Sequence, residues 1–182
     1  NSKRKGNKSD MSKKIAVLVT NLFEDSEYTS PVQALEEAGH TTVSIEHKAG
    51  NVVKGKKGEA EVIIDKGIDE VNPEDFDALL IPGGFSPDSL RKHESFLEFV
   101  RHFDTEQKPI FTICHGPQLM INAEVVKGKK MTSVSQVAID LKNAGANWED
   151  SALVIDESGL ITSRTPEDLP VFNKAIVKAL EK

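Results

Sequence analysis

Apolar and polar positions along this chain fall into two alternating kinds of block. Ile15-Ala16-Val17-Leu18-Val19 is a near-continuous apolar run inside a strand-like stretch from Lys13 to Thr20, the pattern of a strand buried on both faces. Ser30-Pro31 then offers an N-cap and a first-turn proline. Ala34, Leu35 and Ala38 follow at helical spacing, and Gly39 ends the run. Thr42–Ile45 is short and β-branched, a second strand. Residues 48–60 are rich in Gly and Lys. Two β-prone pieces, Val52-Val53 and Val62-Ile63-Ile64, frame them as a hairpin-like excursion. Asp77–Ile81 is the next buried strand and stops at Pro82-Gly83-Gly84. Helical spacing returns through Phe96, Leu97, Phe99, Val100 and Phe103, and Ile110–Ile113 leads into a short helix reaching about Asn122.

The remaining blocks continue the alternation. Strands are predicted over Met131–Val134, Leu153–Ile155 and Leu160–Ser163. One helix runs through Ala138, Leu141 and Ala144, and a last one extends from Asp168 or Leu169 to Leu180 with Pro170 in its first turn. The predicted class is α/β, with a mostly parallel central sheet covered on both faces. No internal repeat or linker interrupts it. Residues 1–10 (NSKRKGNKSD) are polar, basic and aperiodic. They read as an added or disordered leader before a single domain spanning residues 11–182, with a native basic tail as the alternative.

Composition narrows the class. A chain of 182 residues suggests one domain able to bury its core without staples. A net charge of −6 gives no general attraction to nucleic acid or to an anionic membrane. No signal peptide and no apolar run of ~18 residues is visible, so neither export nor a membrane span is expected. The single cysteine rules out an internal disulfide and fits a reducing, cytoplasmic setting. No CxxC, HExxH or paired-histidine spacing suggests a metal, and no GxGxxG or Walker pattern suggests a nucleotide. No cofactor is therefore expected.

That cysteine, Cys114, lies where a strand turns into a helix, in Ile113-Cys114-His115-Gly116-Pro117. This is the layout of a nucleophile elbow with a thiol at its tip. A thiol facing a helix N-terminus should have a pKa below the free value of ~8.5; the alternative is a buried, inert cysteine. His115 is either a surface histidine or, if its ring turns back, a general base. Glu24 and Asp25 follow the first strand. Asp25 reads as a cap or solvated acid, whereas Glu24 could reach the thiol and, held protonated, donate to it. Gly83 and Gly84 allow close backbone approach, so their N–H groups with that of His115 could form an oxyanion site; a plain turn is the alternative. Lys54-Gly55-Lys56-Lys57-Gly58 reads as a solvated turn rather than a phosphate cradle. The histidines are His40, His47, His93, His102 and His115, and none follows His115. This argues against glutamine amidotransferases and α/β hydrolases, whose triad histidine lies downstream of the nucleophile.

Five motifs in order carry a resemblance: Phe23-Glu24-Asp25-Ser26-Glu27, Ile81-Pro82-Gly83-Gly84 with Ser86-Pro87-Asp88, Ile113-Cys114-His115-Gly116-Pro117-Gln118, Asn143-Ala144-Gly145-Ala146, and Thr162-Ser163-Arg164-Thr165-Pro166. From about Lys13 to Lys182 the chain resembles the ThiJ/PfpI family, most closely its bacterial general stress proteins. The resemblance implies a flavodoxin-like three-layer α/β/α sandwich with a reactive cysteine on a strained elbow. It matches Glu24 to the glutamate that hydrogen-bonds the cysteine, and Cys114 and His115 to the family's Cys-His pair. Asp88 matches an acid offered to the histidine, typically by a neighbouring subunit, and here it is the shorter Asp. The backbone at Gly84 and His115 matches the oxyanion site, and Arg164 matches an arginine read as structural.

The implied function is a stress-response cysteine enzyme acting on reactive dicarbonyls or early glycation adducts, of glyoxalase or deglycase type. Alternatives are an oxidative-stress sensor, with Cys114 oxidised to sulfenate or sulfinate, and an intracellular cysteine peptidase using Cys114, His115 and Asp88. A small aldehyde or glycated substrate and a homodimer or higher homo-oligomer are the expected partners.

Overall fold

The predicted strands assemble because their apolar runs have two faces to cover. In the computed structural model, which describes residues 11–181, the strands in chain order are β1 (Lys14–Leu18), β2 (Thr41–Glu46), β3 (Val52–Lys54), β4 (Glu61–Ile63), β5 (Lys66–Gly67), β6 (Ala78–Ile81), β7 (Ile110–Ile113), β8 (Lys130–Met131), β9 (Asn147–Trp148), β10 (Val154–Ile155) and β11 (Leu160–Ser163). The helices are α1 (Asp25–Glu37), α2 (Ser86–Leu90), α3 (Glu94–Thr105), α4 (Pro117–Asn122), α5 (Ala138–Asn143) and α6 (Leu169–Ala179). The expected leader, residues 1–10, lies outside the described residues.

Seven strands form the central sheet in the order β10-β11-β7-β6-β1-β2-β5. All neighbours are parallel except β10 and β11. Alternate residues of each strand feed opposite layers. Ile15, Val17, Leu80 and Phe111 pack under α1 and α6 against Val32, Leu35, Phe172 and Ile176. Ala16, Leu18, Leu79 and Ile81 pack under α3, α4 and α5 against Phe96, Val100, Phe103, Met120 and Leu141. The result is the expected flavodoxin-like three-layer sandwich.

The chain moves outward from β1 in both directions, to β2 on one side and to β6 on the other, so β1 and β6 flank a topological switch point, where a crevice opens beyond the strand ends. The register Ile81↔Thr112 and Ile113↔Ser163 sets the ends of β6, β7 and β11 level.

Three local readings differ from the sequence expectation. The first helix begins at Asp25, well before Ser30, so Pro31 lies inside it. Pro31 supplies no N–H to the carbonyl four residues earlier, and burial of Asp25, Glu27, Val32 and Leu35 holds the helix together despite that loss. Met131 ends a two-residue strand that pairs with β9 in a separate ribbon rather than joining the main sheet. The hairpin exists as β3 and β4, paired antiparallel. Among the described residues, no helix is long and apolar enough to cross a membrane.

Candidate active site

Cys114 follows β7 with φ +62, a left-handed backbone that costs a residue with a Cβ roughly 1–2 kcal/mol. Its neighbours hold it there. Its N–H donates to Ser163 O at 3.1 Å, and its carbonyl accepts from Val134 N at 3.1 Å. Gly116 completes the elbow, since a Cβ there would fall 1.9 Å from Thr112 Oγ1 and 2.7 Å from the carbonyl of Ile81. The chain must turn this tightly at β7, and the thiol is carried to the tip of the turn, only 9% exposed.

The carboxyl beside the thiol is that of Glu27. It lies in the first turn of α1 and is fully buried. Oε1 accepts the Gly83 N–H at 2.9 Å, and the carboxyl lies near enough to the Cys114 thiol for each group to shift the other's ionisation. Oε2 has no hydrogen-bond partner among the described residues. Burial pushes the Glu27 carboxyl up to about 8, against the Gly83 N–H, with negative charge on Glu24 adding to the rise.

Glu24, the glutamate matched to this role from sequence, faces the other way. Its carboxylate pairs with Lys56 at 3.1 Å and Lys57 at 3.2 Å. The start of α1 sets this direction. Once α1 begins at Asp25, Glu24 is the residue before the helix, and its extended backbone turns it toward the hairpin. Glu27, three residues on, lies on the turn that faces β6 and β7.

The expected lowering of the thiol pKa also does not hold. Burial pushes Cys114 up, as does any negative charge on Glu27, while the His115 N–H on the sulfur and Lys56 act against them. The helix after the elbow has six residues, too short for a strong dipole. Two acids in one buried site titrate as a pair, so a first negative charge strongly opposes a second.

The Gly83-Gly84 turn sits against this pair, and its two amides have different partners. Gly83 N–H is taken by Glu27, so it is not free for an oxyanion. Gly84 N–H has no acceptor among the described residues. Gly84 has φ +77, and a Cβ there would lie 2.4 Å from Glu24 N, so the position admits only glycine. Glu24 N–H donates to Gly83 O at 3.2 Å, and Phe23 bridges to both Gly84 and Gly55.

His115 is half-buried. Burial holds its ring below the ordinary histidine pKa, Lys56 adds to this, and Asp88 opposes it. Asp88 itself is exposed and lies 3.5 Å from Arg91. Among the described residues, no carboxylate hydrogen-bonds the His115 ring. Arg164 binds Asp168 through Nε (3.0 Å) and Nη2 (3.2 Å), and its Nη1 lies 2.9 Å from Asp150 Oδ1. That clamps the end of β11 to the start of α6, a structural contact.

The sequence predicts a solvated turn at Lys56-Lys57, yet Lys56 edges the site. Its Nζ is held by Glu24 and lies 5.7 Å from the centre of the Phe85 ring. The turn does cradle an anion, and the anion is Asp25. The Asp25 carboxylate accepts the N–H groups of Lys57, Glu59 and Ala60, each at 2.9 Å. Burial works against its charge, and these donors prevail, holding its pKa below the usual range. Neither Glu27 nor Lys56 was singled out from sequence. Glu27 had a signal, its place in the Phe23–Glu27 motif, but Lys56 had none, because only the hairpin fold brings it to the site.

Among the described residues, no group of three His, Cys, Asp or Glu side chains is arranged to hold a metal ion. What the site offers is a strained thiol, a buried carboxyl able to keep or yield a proton near neutral pH, one free backbone amide and one tethered cation.

Residues 13–179 match the DJ-1/PfpI family. The chain belongs to that family. Its relatives within the DJ-1/PfpI family include protein/nucleic acid deglycase 2 of Escherichia coli K12, 57% identical over 170 residues, covering 93% of this chain and 99% of that protein. General stress protein 18 of Bacillus subtilis 168 is 54% identical over 172 residues, covering 94% of this chain and 100% of that one. Among solved structures, a two-domain protein of Anabaena variabilis with DJ-1/ThiJ/PfpI-like and ferritin-like domains superposes with a TM-score of 0.90 at 36% identity. The match covers 93% of this chain and 48% of that one, so the chain spans about half of the two-domain protein. The five-motif resemblance and the family match agree over nearly the same residues.

Proposed function

We propose that this protein is a cysteine enzyme acting on reactive dicarbonyls or early glycation adducts, with Cys114 as nucleophile and Glu27 as the group that moves the proton. The observation that carries the reading is a fully buried Glu27 carboxyl set beside a thiol on a strained elbow. With methylglyoxal, the Cys114 thiolate adds to the aldehyde carbon while the carbonyl oxygen takes the Glu27 proton, giving a hemithioacetal and leaving Glu27 a carboxylate able to act as base. Gly84 N–H, the free amide of the site, stabilises the oxyanion on the way, and the His115 N–H is released to it as the sulfur gives up its charge to the new bond. Glu27 takes the proton from the former aldehyde carbon and returns one to the neighbouring carbon. The first carbon is thereby oxidised and the second reduced, so no outside redox partner enters. Water then hydrolyses the thioester to lactate and restores the thiol. A neutral Glu27 beside the sulfur also lets the thiolate form with only one charge in the pocket.

The names of the two bacterial relatives, a deglycase and a stress protein, support this class of chemistry. Lactate production from methylglyoxal by purified protein, beside Cys114→Ala and Glu27→Gln, is the test. Equal rates in wild type and Cys114→Ala would sink the proposal.

A second reading is a thiol sensor, favoured by the unpartnered Oε2 of Glu27. A protonated carboxyl there is placed to donate to an oxygen added to sulfur. Mass spectrometry after mild peroxide should then show Cys114 oxidised before the methionines. The peptidase reading lacks its third member within one chain, because Asp88 is exposed and turned to Arg91. The reading includes a homodimer: Leu22, Phe85, Val52 and Ile63 are exposed apolar residues on the site's rim and the hairpin. It also includes a cytoplasmic location, where a thiol that must stay reduced is maintained.

A further inference from the structure

Glu46 lies outside the site and is wired to it. It ends β2, one strand beyond β1, with its side chain buried. Oε2 accepts the Thr20 hydroxyl at 2.8 Å, and Oε1 accepts the Asn51 amide and the His47 N–H, each at 2.8 Å. Burial opposes the charge, but these donors prevail and hold the carboxyl below its ordinary pKa. The Thr20 N–H in turn donates to Ser86 Oγ at 2.9 Å, and Ser86 is completely buried.

Ser86 opens α2 one residue after the Gly83-Gly84 turn, with Phe85 between them. Residues 20–24 run beside that turn, with Phe85 N–H on Leu22 O at 2.8 Å and Glu24 N–H on Gly83 O at 3.2 Å. Three hydrogen bonds therefore stitch this strip to the turn, and Glu46 anchors the residue that makes the first. Within the strip, Leu22 has φ +65, which a leucine keeps only when its flanks are held.

We propose that Glu46 is a positioning residue: through Thr20 and Ser86 it fixes the Gly83-Gly84 turn at the place where Gly84 N–H meets the oxyanion. This rests on the Gly84 role given under Proposed function. Glu46 touches neither the thiol nor the substrate. Gln at this position has one acceptor oxygen in place of two, so at least one of the three donors loses its partner. Thr20→Val removes the same link from the other end, and Thr20→Ser keeps it.

Three readouts apply to Glu46→Gln, Thr20→Val and Thr20→Ser: lactate formation, alkylation of Cys114 by iodoacetamide, and amide hydrogen exchange by segment. Glu46→Gln and Thr20→Val are expected to lower kcat about 10- to 100-fold, the cost of a small misplacement of a catalytic group, with KM and alkylation within about twofold. Exchange should quicken in segments 19–25 and 82–90 and nowhere else, and Thr20→Ser should behave as wild type. An unchanged kcat in folded variants, or loss of thiol reactivity and protection throughout the chain, overturns the proposal. If wild type forms no lactate, the proposed function fails separately. Exchange then decides the positioning claim: quickening confined to the two segments sustains it, and unchanged or global exchange removes it.

Discussion

Replacing Glu27 with Gln takes one titratable proton out of the interior and leaves the shape nearly unchanged. The amide oxygen can still accept from Gly83 N–H. In the folded protein the carboxyl holds its proton to about pH 8, whereas an unfolded chain releases it near 4.5. Between these values the folded state binds more protons than the unfolded one, so stability falls as pH rises through the window. Below about 4.5 the group costs nothing, and above about 8 the full penalty is present. At ~1.4 kcal/mol per pH unit, the penalty at pH 7 is roughly 3 kcal/mol. Gln carries no such penalty. Urea unfolding from pH 5 to pH 8 should therefore show wild type losing stability relative to Glu27→Gln, with the variant ahead by roughly 3 kcal/mol at pH 7 and the gap mostly closed at pH 5. In the same variant, lactate formation should fall ~10²–10⁴-fold, the usual worth of general acid–base help. A more stable and less active protein is the expected pairing. Parallel stability curves across this range would refute the argument that burial keeps Glu27 protonated.

Lys56→Met removes the cation that favours ionisation of both Cys114 and Glu27. Alkylation of Cys114 near pH 8 should slow by about 2- to 5-fold, in keeping with a part-exposed charge, and an unchanged rate would free the thiol of Lys56. Gly84→Ala forces a Cβ against Glu24 N and should cost roughly 2 kcal/mol or more by thermal unfolding, together with most of the turnover. Asp88→Asn alters an exposed acid paired with Arg91, so kcat should stay within about twofold, the usual fate of a surface change. A tenfold or larger loss would instead reinstate Asp88 as a partner of His115.

The parts of this molecule legible in the sequence were those whose physics is local. Ile15–Val19, Asp77–Ile81, Ile110–Ile113 and Leu160–Ser163 announce buried strands by unbroken apolar runs, and the elbow at Cys114 by the glycine two residues on. The order of these blocks was enough for the class of fold. The two-residue strands Lys66–Gly67 and Asn147–Trp148 have no pattern of their own and exist only through their partners. Glu24 is picked out by its place just after the first strand and by the family resemblance, and with the helix expected only from Ser30-Pro31 nothing in the sequence separates it from Glu27. Starting the helix at Asp25 separates them: Glu27 is turned inward to Cys114, and Glu24 outward to the lysines. Lys56 was invisible for a different reason, since its distance from Cys114 is set by a ribbon outside the main sheet.

That ribbon has an implication for how the site can diverge. β3 and β4 are fastened by the Asp25 carboxylate and by the bridge from Phe23, so the cationic edge is mounted on a separate two-stranded piece rather than on the sheet that bears the nucleophile. Drift or loop grafting between Gly55 and Ala60 can change the charge and reach of that edge without rebuilding the elbow, provided Asp25 keeps its three donors. Paralogues could thus share one thiol and differ in what they admit to it, with the ribbon as the exchangeable part.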